Sequence, residues 1–138
     1  MKTYDPKQVQ VIVGGVSMQG FDDDSVVKVT RLADAFTQTI GVDGEGTRAK
    51  SNDNSAEIEI SLKQSSESNA FLSSLANSDR LNNGGVVPVM VKDNNGTSLH
   101  MCEQAYIKKM PDSEYNKTGS ARVWTLVTDN VVDNIAGY

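Results

Sequence analysis

The sequence predicts a mainly β fold, an antiparallel β-sandwich or barrel with one α-helix packed on it and a long protruding β-hairpin. Three observations carry this. Ala56, Ile58, Ile60 and Leu62 alternate with Glu57, Glu59, Ser61 and Lys63, the period of a strand with one buried face. β-Branched runs recur between Gly, Asn and Asp turns. One segment alone carries a helical apolar stripe, formed by Phe71, Leu72, Leu75 and Ala76. The 138 residues, 38% hydrophobic and 22% charged, suit a single domain over 1–138 with one core.

The elements follow in order. Val9–Val13 is β-branched and ends at Gly14-Gly15, and Val16–Met18 follows, which predicts a short hairpin with a two-glycine turn. Asp22, Asp23 and Asp24 form an acidic turn, and a strand resumes over 26–32. A long hairpin spans about 33–53. Phe36–Ile40 runs out, Gly41–Gly46 turns, and residues 47–51 return. Its arms are polar, and an isolated two-stranded ribbon is only marginally stable in water. The ribbon therefore either leans on another surface or is a mobile loop.

The helix is expected over about 66–78, with Ser66 as its cap, Glu67 in its first turn and Asn82-Asn83-Gly84-Gly85 beyond it. Pro88 interrupts a strand over 86–92, which predicts a sheet edge or a bulge. Asp93–Gly96 is a turn. Strands are expected over 97–108 and 120–128, with a polar loop at 111–119 and a last short strand near 131–135. The core candidates are Ile58, Ile60, Leu62, Phe71, Leu72, Leu75 and Trp124.

Composition narrows the chemistry. The net charge is −5 and no block of Lys and Arg stands out, which disfavours tight binding to nucleic acid. No stretch approaches a membrane-spanning length, so no membrane anchor is expected. The start of the chain has no signal-like apolar segment, so synthesis in the cytoplasm is expected. Cys102 is the sole cysteine and His100 the sole histidine. Two apart on a strand they share a face, but a Cys–His pair needs hydrogen-bond reach and an orienting group. Cys102 is better read as a small buried hydrophobe and His100 as a surface residue. One His and one Cys cannot build a zinc site. Asp93-Asn94-Asn95-Gly96 lacks the remaining ligands of a calcium loop, and Gly41–Gly46 fits neither nucleotide-binding glycine motif. No catalytic residue, metal or cofactor is expected.

An ordered set of short matches runs through nearly the whole chain. It begins with Tyr4-Asp5-Pro6-Lys7 and Val11-Ile12-Val13-Gly14-Gly15-Val16. Asp34-Ala35-Phe36-Thr37, Gly41–Glu45, Thr47-Arg48 and Ser51-Asn52-Asp53 follow. Ser68-Asn69, Leu72 and Leu75-Ala76-Asn77 come next, then Pro88-Val89, Lys92-Asp93 and Lys109-Met110-Pro111-Asp112. Together they resemble the small tail tube proteins of contractile-tailed bacteriophages, a family related in fold to type VI secretion tube proteins.

The resemblance implies a structural subunit of the virion. Six copies form a ring, rings stack into a hollow tube inside a contractile sheath, and double-stranded DNA passes through the lumen without specific binding. It also implies a sheath protein, a baseplate initiator, a tape measure protein and a tail terminator as partners. The long hairpin would reach a neighbouring subunit or ring through Phe36, Thr37, Ile40, Asp43, Glu45, Arg48 and Lys50. Glu57, Glu59 and Ser61 would face the lumen. Since a ring of six multiplies the −5 of each chain, an acidic lumen that repels phosphates is the expected device. A second reading is the tube of a phage-derived injection particle or a type VI-like system. A third is a non-enzymatic β-sandwich binding module.

Overall fold

The computed structural model describes residues 3, 9–21, 27–94, 96, 98–113, 115 and 119–135. The Tyr4–Lys7 motif and the acidic run at 22–24 lie outside them. Among the described residues, ten strands and one helix follow in order: β1 (Val9–Val13), β2 (Val16–Ser17), β3 (Val27–Arg31), β4 (Phe36–Ile40), β5 (Gly46–Lys50), β6 (Ala56–Leu62), α1 (Ser68–Asn82), β7 (Val87–Asp93), β8 (Leu99–Lys109), β9 (Arg122–Thr128) and β10 (Val132–Asn134).

The main sheet is antiparallel, in the order β2-β1-β7-β8-β9-β6-β3, with β10 also paired to β8. The β1–β2 turn holds Gly14 and Gly15 at φ 60° and 84°, the left-handed pair that a two-residue hairpin turn requires. The Gly14 amide donates to the Pro88 carbonyl at 2.8 Å, fastening that turn to β7. The chain beyond β2 then crosses to the far end of the sheet. The Lys63 amide donates to the Gly20 carbonyl at 2.7 Å, and Phe21 bridges Leu62. Residues 16–21 thus touch β1 at one end and β6 at the other, which closes the sheet toward a barrel.

Pro88 lies in β7 between β1 and β8, at a register shift between Val87 and Val89. Of the two expectations for it, the bulge is what forms, since β7 is interior. The matching irregularity in β8 moves its buried positions from Cys102 to Ala105. β8 pairs with β9 through Ala105 and Thr128, and with β10 through Met101 and Val132. The chain from Thr128 to Val132 advances as far as that from Ala105 back to Met101. β9 and β10 are therefore one interrupted strand in one register along β8.

The helix begins two residues later than expected and ends four later. Ser66 lies outside it. The Ser66 hydroxyl donates to the Gln19 carbonyl at 2.5 Å and accepts from the Ser68 amide at 3.2 Å. The Gln19 amide in turn donates to the Ser68 hydroxyl at 3.0 Å. These bonds dock the helix start on residues 19–20, where a Cβ on Gly20 would lie 2.8 Å from the Ser66 Cβ. The helix stops at Asn83, whose left-handed φ of 59° returns its amide to the Asp79 carbonyl.

The core gathers Val11, Val13, Ile58, Ile60, Leu62, Leu72, Val89, Trp124 and Leu126, among others, from β1, β6, α1, β7 and β9. Phe71 and Leu75 are partly buried and pack against it.

Candidate assembly surface

Among the described residues β4 and β5 pair only with each other, and all ten of their residues are exposed. Alternation gives the ribbon two unlike faces. Phe36, Gln38 and Ile40 lie opposite Lys50, Arg48 and Gly46, and residues directly opposite share a face. That face is apolar and basic, with the Arg48 guanidinium 4.4 Å from the centre of the Phe36 ring. The other face is small and polar, built from Thr37, Thr39, Thr47 and Ala49.

The acidic tip is ordered internally. The Gly41 amide donates to the Glu45 carbonyl at 2.8 Å, and the Asp43 carboxylate accepts from the Glu45 amide at 3.2 Å. Val42 stands fully exposed. At the root, the Ser51 amide donates to the Ala35 carbonyl. The Ser55 hydroxyl and then the Ser55 amide hold the Asp53 carboxyl below its ordinary range. Phe36, Ile40, Arg48 and Lys50 therefore share one face. Thr37 faces away from them, and Asp43 and Glu45 occupy the tip.

On β6, Ile58, Ile60 and Leu62 point into the core, while Glu57 and Glu59 are half-buried on the opposite face. Ser61 lies on the glutamate side but is 9% exposed, so it offers little surface to a lumen. The expected acidic surface also carries cations. Lys28 of β3 lies directly opposite Glu59, and Lys108 Nζ of β8 is 3.9 Å from Glu57 Oε1. Two lysines offset the two glutamates, so these four residues make a mixed face and not a repelling one. Lys28 and Lys108 went unseen in the sequence because the fold alone sets β3 beside β6 and places β8 one strand beyond it, across β9.

Cys102 is buried, its thiol against the Val89 carbonyl at 3.5 Å. Burial raises its pKa. His100 is no free surface residue. Its Nδ1 lies 2.7 Å from Asp133 Oδ1, and Asp133 Oδ2 accepts from Arg31 Nε at 2.7 Å. Asp133 thereby links β3, β8 and β10. Among the described residues, no group of three His, Cys, Asp or Glu side chains is placed to hold a metal ion, and no helix is long and apolar enough to cross a membrane.

An antiparallel sheet curled toward a barrel, with one helix and a separate two-stranded ribbon, is a fold shared with parts of contractile injection machines. The sheath/tube terminator of an extracellular contractile injection system, in its extended state, superposes with a TM-score of 0.68 at 16% identity, covering 98% of this chain and 99% of that one. The tube-terminating cap of the anti-feeding prophage gives 0.67 at 16% identity, over 99% and 93%. The sheath–tube complex of an extracellular contractile injection system gives 0.65 at 16% identity, over 97% and 93%.

Sequence then makes the assignment specific. The chain belongs to the bacteriophage PhiTE tail tube protein family, whose model matches residues 3–137. It is 35% identical over 136 residues to structural protein ORF10 of Pseudomonas phage KPP10, covering 93% of this chain and 79% of that protein. The chain is thus a structural subunit of a phage tail tube, a component of the virion, and not an enzyme.

Proposed function

We propose that six copies close into a ring and that rings stack into a hollow tube inside a contractile sheath, through which double-stranded DNA passes into the host. The observation that carries this is the ribbon at 36–50, which is exposed on both faces and, among the described residues, pairs with no other strand. A two-stranded ribbon of this kind gains lasting order when another surface covers it. A second copy supplies that surface in a head-to-tail contact, which closes rings or propagates filaments. Phe36, Thr37, Ile40, Asp43, Glu45, Arg48 and Lys50 would make the contact.

The face bearing Glu57 and Glu59 would line the lumen, with Lys28 and Lys108 beside them. A mixed lining of this kind holds phosphate weakly, since counterion release needs uncompensated cations. Sheath, baseplate initiator, tape measure protein and terminator complete the assembly, with synthesis in the host cytoplasm.

Negative-stain electron microscopy of the purified chain at high concentration tests the reading, with rings or hollow rods as the expected result. A persistent monomer that binds a glycan or turns over a substrate would overturn it.

A further inference from the structure

Where β8 parts from the interrupted β9–β10 strand, the surface opens into a groove of about 410 Å³ lined by Met101, Glu103, Gln104, Asp129, Asn130 and Val132. Met101 and Val132 are cross-strand partners and are 39% and 65% exposed, so the floor is apolar and open. Glu103 and Asp129 form no ion pair among the described residues. A groove that joins two open apolar residues to two uncompensated carboxylates asks for a partner with the opposite charge and matching apolar groups.

This chain presents such a partner on its own ribbon. The Phe36 face carries two apolar side chains, Phe36 and Ile40, and two cations, Arg48 and Lys50, that form no ion pair among the described residues. All ten residues of the ribbon's two strands are exposed, so its own groove does not bury that face. Its root does lie there, because Asn54 bridges Asn130 and the Val131 amide donates to the Asn54 carbonyl at 3.0 Å. From that root the arm extends roughly 20 Å at the usual rise of a strand. Donor face and groove are therefore separate surfaces of one chain, so each copy can give its ribbon to one neighbour and receive another's, as a head-to-tail contact requires.

We infer that the groove between β8 and β10 receives the Phe36–Ile40–Arg48–Lys50 face of the ribbon from a second copy, so that each ribbon rests beside the root of the next. This rests on the reading of the ribbon as the contact between copies and names the surface that receives it. Arg48 and Lys50 meet Glu103 and Asp129, while Phe36 and Ile40 cover Met101 and Val132. Burying the pairs at an interface strengthens their attraction relative to water.

Disulfide trapping tests it, in a Cys102→Ala background. A chain carrying Ile40→Cys is mixed under mild oxidation with one carrying Val132→Cys or, as a control, Leu81→Cys, whose position on α1 is also exposed. Peptide mass spectrometry counts the mixed disulfides. The expected result is strong cross-linking between 40 and 132 and little between 40 and 81. Glu103→Lys with Asp129→Lys in the acceptor should abolish the 40–132 product, and Arg48→Glu with Lys50→Glu in the donor should restore it. Equal yields at 81 and 132, or indifference to both charge changes, would overturn the groove assignment. Rings or rods formed by the unaltered chain in the same experiment would leave the tube reading standing, which separates the two failures.

Discussion

Asn69 joins three segments through one amide. Its Nδ2 donates to the carbonyls of Lys63 at 2.9 Å and Ser66 at 3.1 Å, and its Oδ1 accepts from Trp124 Nε1 at 2.9 Å. The indole is 1% exposed, so removing its acceptor strands a buried donor. Asn69→Ala should therefore cost about 1–3 kcal/mol, read as a lower urea midpoint with an unchanged slope in Trp124 fluorescence; an unmoved midpoint would dismiss the anchoring role. Cys102 makes a second residue-scale case. Its thiol is raised by burial, then lowered in part by bonds to Thr128 and Val89. Below the unfolded value near 9.0 the thiol is protonated in both states and costs nothing. As pH rises past that value the unfolded chain ionises first, and stability falls until the folded thiol also ionises. The expected outcome is an alkaline loss of stability that is smaller in Cys102→Ala, measured by urea unfolding on either side of pH 9.

At the scale of elements, what was legible depended on whether the cause lay inside the segment. β6 was plain because its alternation is local and both neighbours bury the same face. The glycine turn at 14–15 and the ribbon at 36–50 were equally local. The helix end was not, since residues 79–82 carry no apolar stripe and the boundary is set by the left-handed Asn83. Ser61 misled because alternation assigns a face and not a depth. The groove at β8 and β10 was invisible, because a bulge breaks the period of β8 and its second wall comes from a strand some thirty residues away. The ribbon also sets a prediction at this scale. It forms its own sheet and places no residue in the core, so shortening 41–46 should leave circular dichroism and melting temperature nearly unchanged while abolishing rods in electron micrographs. Normal rods from that variant would show the ribbon to be dispensable.

For the whole molecule, the net charge of −5 proved a poor guide to any one surface. The sequence suggested an acidic lumen from Glu57 and Glu59, but strand order sets Lys28 opposite Glu59 and brings Lys108 within 3.9 Å of Glu57. A sum over the chain cannot show which side a charge occupies. The balance can be tipped. Glu57→Lys with Glu59→Lys would place four lysines together, and six copies would multiply them around a ring. Assemblies of that variant should retain double-stranded DNA in a mobility-shift assay at low salt and release it steeply as salt rises, while the unaltered chain retains little at either. Retention by the unaltered chain equal to the variant's would refute the balanced lining.

The exposed ribbon has a further consequence for the life of the protein before assembly. Arg48 and Lys50 are exposed on a ribbon that adds no described residue to the core, so a free copy offers trypsin two cleavage sites there. On the proposed contact, a neighbour that covers that face would close both sites. Time-resolved digestion should nick unassembled chains at 48 and 50 and spare those in rods; equal cleavage of both would show that assembly leaves this face open.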